Sequence, residues 1–339
     1  MLTRLDIVAI STSFSKCERK PMDIKVGLEA IAEASKKLSN WARWGADDEI
    51  GTLNFVTPQD IVDATKLVRK GKAFSLGIPL DSGGPQTGLF GRRFNPIHMM
   101  LHSGVDGIAL KYEGTSTASY ADDVLMLCVQ GATHWDSLGH VFYKNKMYNG
   151  YDAALANSAG IQKNGIQHTR NKMIGRGVLL DVARFKGMDV LPDGYGISNA
   201  ELDACARKQA VAIRRGDFVI IRTGQMEACR KAGTWGGYAG GDGPGVKFEN
   251  CYWCHEKEIA AICSDTWGVE VRPNETNEAQ QPWHWVVIPA MGLTMGEIFD
   301  LKELAEDCSA DGVYEFLFTA PPLIITGGSG SPINPQAVK

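Results

Sequence analysis

The densest set of chemically able residues lies at positions 130 to 140, QGATHWDSLGH, where Gln130, His134, Asp136 and His140 follow the apolar run VLMLCV. Imidazole and carboxylate without a thiolate suit an open zinc or manganese site rather than a closed structural one. An ion in such a site polarises a carbonyl and brings the pKa of a water towards neutrality, which is what hydrolysis requires. The spacing works in one conformation only. In a helix His134 and Asp136 would diverge by about 200°. In a strand Gln130, Ala132, His134 and Asp136 share one face, and the turn through Ser137, Leu138 and Gly139 brings His140 back towards it. Trp135 then faces the other way, into packing.

The elements that must hold this cluster are mixed. Residues 1 to 45 read as an N-terminal helical arm, with VGLEAIAEASKKLSNWARW as its amphipathic part, and residues 46 to 339 as a single catalytic domain. TPQDIVDATKLVRKG is a helix with Thr57 as N-cap and Pro58 in its first turn. SNAELDACARKQAV opens with a capping box of Ser198 and Glu201. EIFDLKELAEDC carries a helical stripe through Ile298, Leu301 and Leu304, so that Glu297 opens a helix. AFSLGIPL, DVLMLCV, GVLLDV, DFVIIRT, WVVIPA and PPLIIT read as strands, VLMLCV as a buried one. Strands and helices without strict alternation indicate an α/β or α+β domain with a mixed sheet core and the polar cluster at a strand end.

Bulk properties narrow the partners. The 339-residue chain has 44% hydrophobic and 22% charged residues and a formal net charge of -4, without a Lys/Arg block, so nucleic acid is not an expected partner. No apolar run is long enough for a membrane span and the first residues lack a secretory h-region, which sets the expectation of a soluble, cytoplasmic protein. The eight scattered cysteines fit reduced thiols.

QGATHWDSLGH resembles the HxGTHxDxxxH signature of the metal-dependent cyclase-like hydrolases, the family of bacterial kynurenine formamidase and isatin hydrolase. The resemblance continues through RWGADDEIGTLN, IRTG, SDTWGVEV, HWVVIPAMGLTMGEIFDL and YEFLFTAPPLIITGGSGSPINP, in the family's order. It implies a swivelling β/β/α fold, a homodimer or homotetramer, and one or two Zn2+ or Mn2+ ions per chain. It matches His134, Asp136 and His140 to metal ligands, with Glu297 joining the metal site and Gln130 standing where the family has its first histidine. His140 and His284 are the implied proton-transfer groups. The implied reaction is hydrolysis, by metal-bound hydroxide, of a non-peptide C-N bond in a small cyclic or aromatic amide: an aryl formamide, an isatin-like lactam or a γ-lactam. A lactone hydrolase and a non-catalytic metal- or ligand-binding protein of the same fold are the alternatives.

Other motifs have plainer readings. CYWCH at 251 to 255 matches a haem-attachment pattern, yet Cys251 and Cys254 are read as one helical face at i and i+3. HMMLH lacks the glutamate of a zincin helix and alternates like a strand, with His98 and His102 as pocket-lining candidates. Trp44, Phe142 and Trp235 are the substrate-side aromatics of choice. Neither glycine-rich loop is a nucleotide fingerprint.

Overall fold

The computed structural model describes residues 22–112, 114, 115 and 118–339, so the first 21 residues of the expected arm lie outside the described residues. The core is one mixed nine-stranded sheet. From one edge to the other its strands are Ala73–Ser75, Gln336–Val338, Glu315–Thr319, Ile174–Asp181, Phe218–Arg222, Ala261–Ser264, Thr294–Glu297, His134–Asp136 and Gly330–Pro332. The four strands from 174–181 to 294–297 run parallel to one another, and every other pairing in this sheet is antiparallel.

The aliphatic runs GVLLD and FVIIR form the buried centre because side chains of successive strand residues go to opposite faces and both faces are covered. Val178, Leu180, Val219, Ile221 and Ile262 enter one core, while Leu179, Phe218, Ile220 and Cys263 enter the other. The first core is roofed by the helices Leu28–Lys37, Asn199–Lys208 and Asn250–Lys257, the second by Lys302–Asp311. Ser198 starts Asn199–Lys208 with a capping box and Thr57 is the N-cap of Pro58–Thr65, as the sequence indicates, the latter closed into a second capping box by Asp60. Cys251 and Cys254 lie buried on one face of their helix, packed in the core.

Several elements differ from the sequence expectation. The run VLMLCV is not buried: Asp122–Met126 pairs with Ile97–His102 in a projecting hairpin whose strand residues are mostly exposed. WVVIPA is not a strand, since His284–Val287 forms a short helix, and PPLIIT is irregular, the strand coming later at Gly330–Pro332. Glu297 ends a strand instead of opening a helix, which starts at Lys302. Gln130 and Ala132 precede the strand, which begins at His134. Among the described residues no helix is long and apolar enough to cross a membrane.

Candidate metal centre

Strand register builds the centre. His134 pairs with Glu297 and Asp136 with Met295 across the antiparallel neighbours, which puts the His134 and Glu297 side chains together. Trp135 goes to the opposite face, fully buried against Phe299 and Phe318, and its indole N–H donates to the Ala320 carbonyl at 2.7 Å. Its partner across the ladder is Gly296, where a Cβ would stand 2.7 Å from the Trp135 ring, so only glycine fits.

One ligand atom each from His134, Asp136 and Glu297 lies within 4.8 Å of the others, and all three residues are buried. His134 Nε2 is 3.2 Å from Glu297 Oε2 and 3.4 Å from Asp136 Oδ1. The His134 Nδ1 atom is 2.7 Å from the Ala132 carbonyl, which can only accept, so Nδ1 carries a proton and Nε2 is left to face the carboxylates. His134 Nε2 and Asp136 Oδ1 have no hydrogen-bond partner although both are buried. Buried polar atoms are rarely left so, and two of them beside the second carboxylate, Glu297, fit a divalent cation.

The trio extends at both ends into a row of alternating imidazoles and carboxylates. His140 Nε2 stands 3.7 Å from Asp136 Oδ1, and His284 Nε2 stands 3.4 Å from Glu297 Oε1. The far side of the His284 ring closes tightly on Glu270, whose carboxylate also accepts from the Trp283 and His284 backbone N–H groups at 3.2 and 3.3 Å. The same carboxylate thereby caps the first turn of the short helix and fixes the ring. His140 is the open end, its side chain 25% exposed.

The charges answer one another. Burial opposes ionisation of His134 and His284, but the adjoining carboxylates overcome it and raise their pKa values to about 9 and about 10 without an ion present. Asp136 and Glu297 are held below the usual carboxylate range, burial notwithstanding, by the imidazoles beside them. His140 goes the other way: burial, aided by Arg93, keeps it below the ordinary imidazole value against the pull of Asp136.

Backbone strain flanks both inner carboxylates. Ile298, after Glu297, has φ of 63° and Val269, before Glu270, has φ of 55°, values that β-branched residues seldom adopt. Both are tied to Thr266: Ile298 N–H donates to its carbonyl at 3.0 Å, and Val269 N–H to its hydroxyl at 3.1 Å. The two carboxylates beside these residues meet the two ring nitrogens of His284.

The Cyclase family model matches residues 53–271, the span that carries His134, Asp136, His140 and Glu270. The chain belongs to the Cyclase family. A solved structure described as a novel cyclase is similar at 39% identity, with a TM-score of 0.81 over 90% of this chain and 99% of that one. Isatin hydrolase A from Ralstonia solanacearum shares the fold at 16% identity, TM-score 0.58, over 79% of this chain and 92% of its own. Isatin hydrolase A from Labrenzia aggregata does so at 17% identity, TM-score 0.56, over 81% and 94%. No curated protein matches the chain.

In this member of the Cyclase family the other residues singled out in the sequence stand as follows. The Gln130 amide nitrogen spends its hydrogens on the Ser329 carbonyl and hydroxyl, each 3.2 Å away, and stands 3.4 Å from His140 Nδ1. It borders the trio through His140. His98 is on the exposed hairpin, paired with Asp123 at 2.7 Å, and His102 there stacks on Tyr112 and Tyr120. Trp44 packs edge-on against Phe55, and Phe142 is 40% exposed. Trp235 donates to the Gly83 carbonyl and leans on Tyr238, within a small cluster that includes Ala132, Trp267 and Ile298. The sequence reading missed Glu270 and Arg93. Glu270 lies inside SDTWGVEV, but nothing in a carboxylate so far before His284 announces a contact between them.

Proposed function

We propose that this Cyclase-family protein is a metal-dependent hydrolase that cleaves a non-peptide C-N bond in a small cyclic or aromatic amide, with zinc or manganese at His134, Asp136 and Glu297. The observation that carries the reading is the buried trio with its two unpartnered ligand atoms. The fold shared with isatin hydrolases supports the substrate class.

A divalent ion supplies Lewis acidity at a carbonyl oxygen and a water acidic enough to attack near pH 7. The chain supplies the rest. His140, neutral near pH 7 and turned to the open side, takes a proton from the attacking water and returns it to the leaving nitrogen. Glu270 holds His284 by its Nδ1, and His284 Nε2 in turn keeps Glu297 aimed at His134. The fully packed Trp135 face fixes the strand beneath, so that the ligands do not move when charge develops.

The test is turnover of a panel of aryl formamides, isatin-like lactams, γ-lactams and lactones, before and after chelation and with metal restored. Amide turnover that is lost on chelation and recovered with Zn2+ or Mn2+ is expected. Turnover of lactones alone would move the cleaved bond to C-O, and a protein that binds metal while turning over nothing on the panel would overturn the hydrolase reading.

A further inference from the structure

Arg93 is the cation that the chemistry above leaves unused. Its guanidinium lies 4.9 Å over the Phe90 ring, and Phe90 packs edge-on against Trp267 at 4.6 Å. Its Nη1 reaches the Gln130 carbonyl at 3.5 Å, and the Gln130 side chain is the neighbour of His140. The guanidinium is therefore one residue away from the open end of the imidazole-carboxylate row. It is close enough to depress the pKa values of both Asp136 and His140.

Among the described residues the two buried arginines are doubly paired, Arg176 with Asp217 and Glu315, Arg222 with Asp181 and Glu227, whereas the half-buried Arg93 has no carboxylate partner. Among the described residues no Asp or Glu pairs with Arg93, and its one hydrogen bond is long. An arginine fork half sunk beside a site with most of its donors free is complementary to a planar anion. Local charge points the same way. Arg93 stands beyond His140, the partly exposed end of the row, and puts a fixed positive charge there. The Phe90 ring under the guanidinium, with the buried Trp267 edge-on against it, makes the surroundings of the fork apolar and aromatic.

We propose that Arg93 is a specificity-determining residue that receives a carboxylate carried by the substrate, next to the bond that is cleaved. This rests on the hydrolase reading of the same site and narrows its substrate class to anionic, aromatic amides.

The test uses metal-loaded wild type, Arg93→Gln and Arg93→Lys, each with metal content and thermal unfolding checked. Binding of benzoate and of its neutral counterpart benzamide is measured by calorimetry, and hydrolysis of N-formylanthranilate and of formanilide by absorbance. In the wild type benzoate binds at least about tenfold more tightly than benzamide. Arg93→Gln loses that difference while benzamide is unaffected, Arg93→Lys keeps part of it, and kcat/KM falls for N-formylanthranilate alone. Equal binding of the two probes in the wild type, or equal weakening of both in Arg93→Gln, overturns the proposal. If the benzoate result holds while neither formamide is hydrolysed, formamide cleavage fails and the anion site stands.

Discussion

His134 Nε2 and Glu297 Oε2 face each other at 3.2 Å from paired positions on adjacent antiparallel strands, both in the interior. A neutral imidazole lone pair and a carboxylate oxygen do not attract at that distance without a cation between or beside them. A proton fills that role in the ion-free chain, and a divalent ion fills it better because Asp136 Oδ1 is also waiting.

Ion uptake must therefore displace protons. In the ion-free chain the folded pKa values of His134 and His284, about 9 and about 10, lie above the ordinary imidazole value of 6.5. A raised histidine stabilises the fold fully below about 6.5, and that contribution is lost as pH rises through the folded value. The ion-free protein should accordingly lose several degrees of Tm between about pH 6.5 and 10. Metal affinity should rise over the same window as fewer protons oppose it. Thermal scans of chelated protein and metal titrations across this range check both slopes.

His140→Ala should keep the metal and the fold but lose turnover by about a hundredfold or more, the usual scale for a proton-transfer group. Elemental analysis beside steady-state kinetics separates the two effects. Full activity in the metal-loaded variant would remove His140 from the mechanism.

Glu270→Gln keeps the shape of the clamp on His284 and removes its charge. Without that carboxylate the His284 pKa should fall, and metal affinity or activity should drop by about tenfold to a hundredfold. A titration of the His284 ring by NMR, wild type against variant, reports the shift directly.

Gly296→Ala tests the back of the site. Its Cβ would meet Trp135 and Phe299, each at 2.7 Å, inside a packed core. Overpacking of this kind costs about 1–3 kcal/mol, read as a lower denaturant midpoint at unchanged slope.

The local half of this centre was legible in the sequence and the long-range half was not. Alternation alone places His134 and Asp136 opposite Trp135, because a strand's period of two is written in consecutive residues. Family resemblance singles out Glu297, but the stripe Ile298, Leu301 and Leu304 continues past it and reads as a helix; its position is set by register against a strand distant in the chain. The β-branched WVVI reads as a strand, yet it lies in a short helix whose start is capped by Glu270 through the N–H groups of Trp283 and His284. VLMLCV reads as buried because it is apolar, while the fold leaves Leu125 and Met126 43% and 53% exposed on the hairpin. Apolar composition reports what would favour burial, not whether anything in the chain covers it.

The most direct measurement is the metal content per chain of the wild type and of His134→Ala and Asp136→Asn, each purified identically, loaded with Zn2+ or Mn2+ and desalted. The wild type should retain one or two ions, and both variants should lose them with unchanged far-UV circular dichroism. A wild type that stays metal-free after loading, or variants that hold as much metal as the wild type, would contradict a metal centre at His134, Asp136 and Glu297.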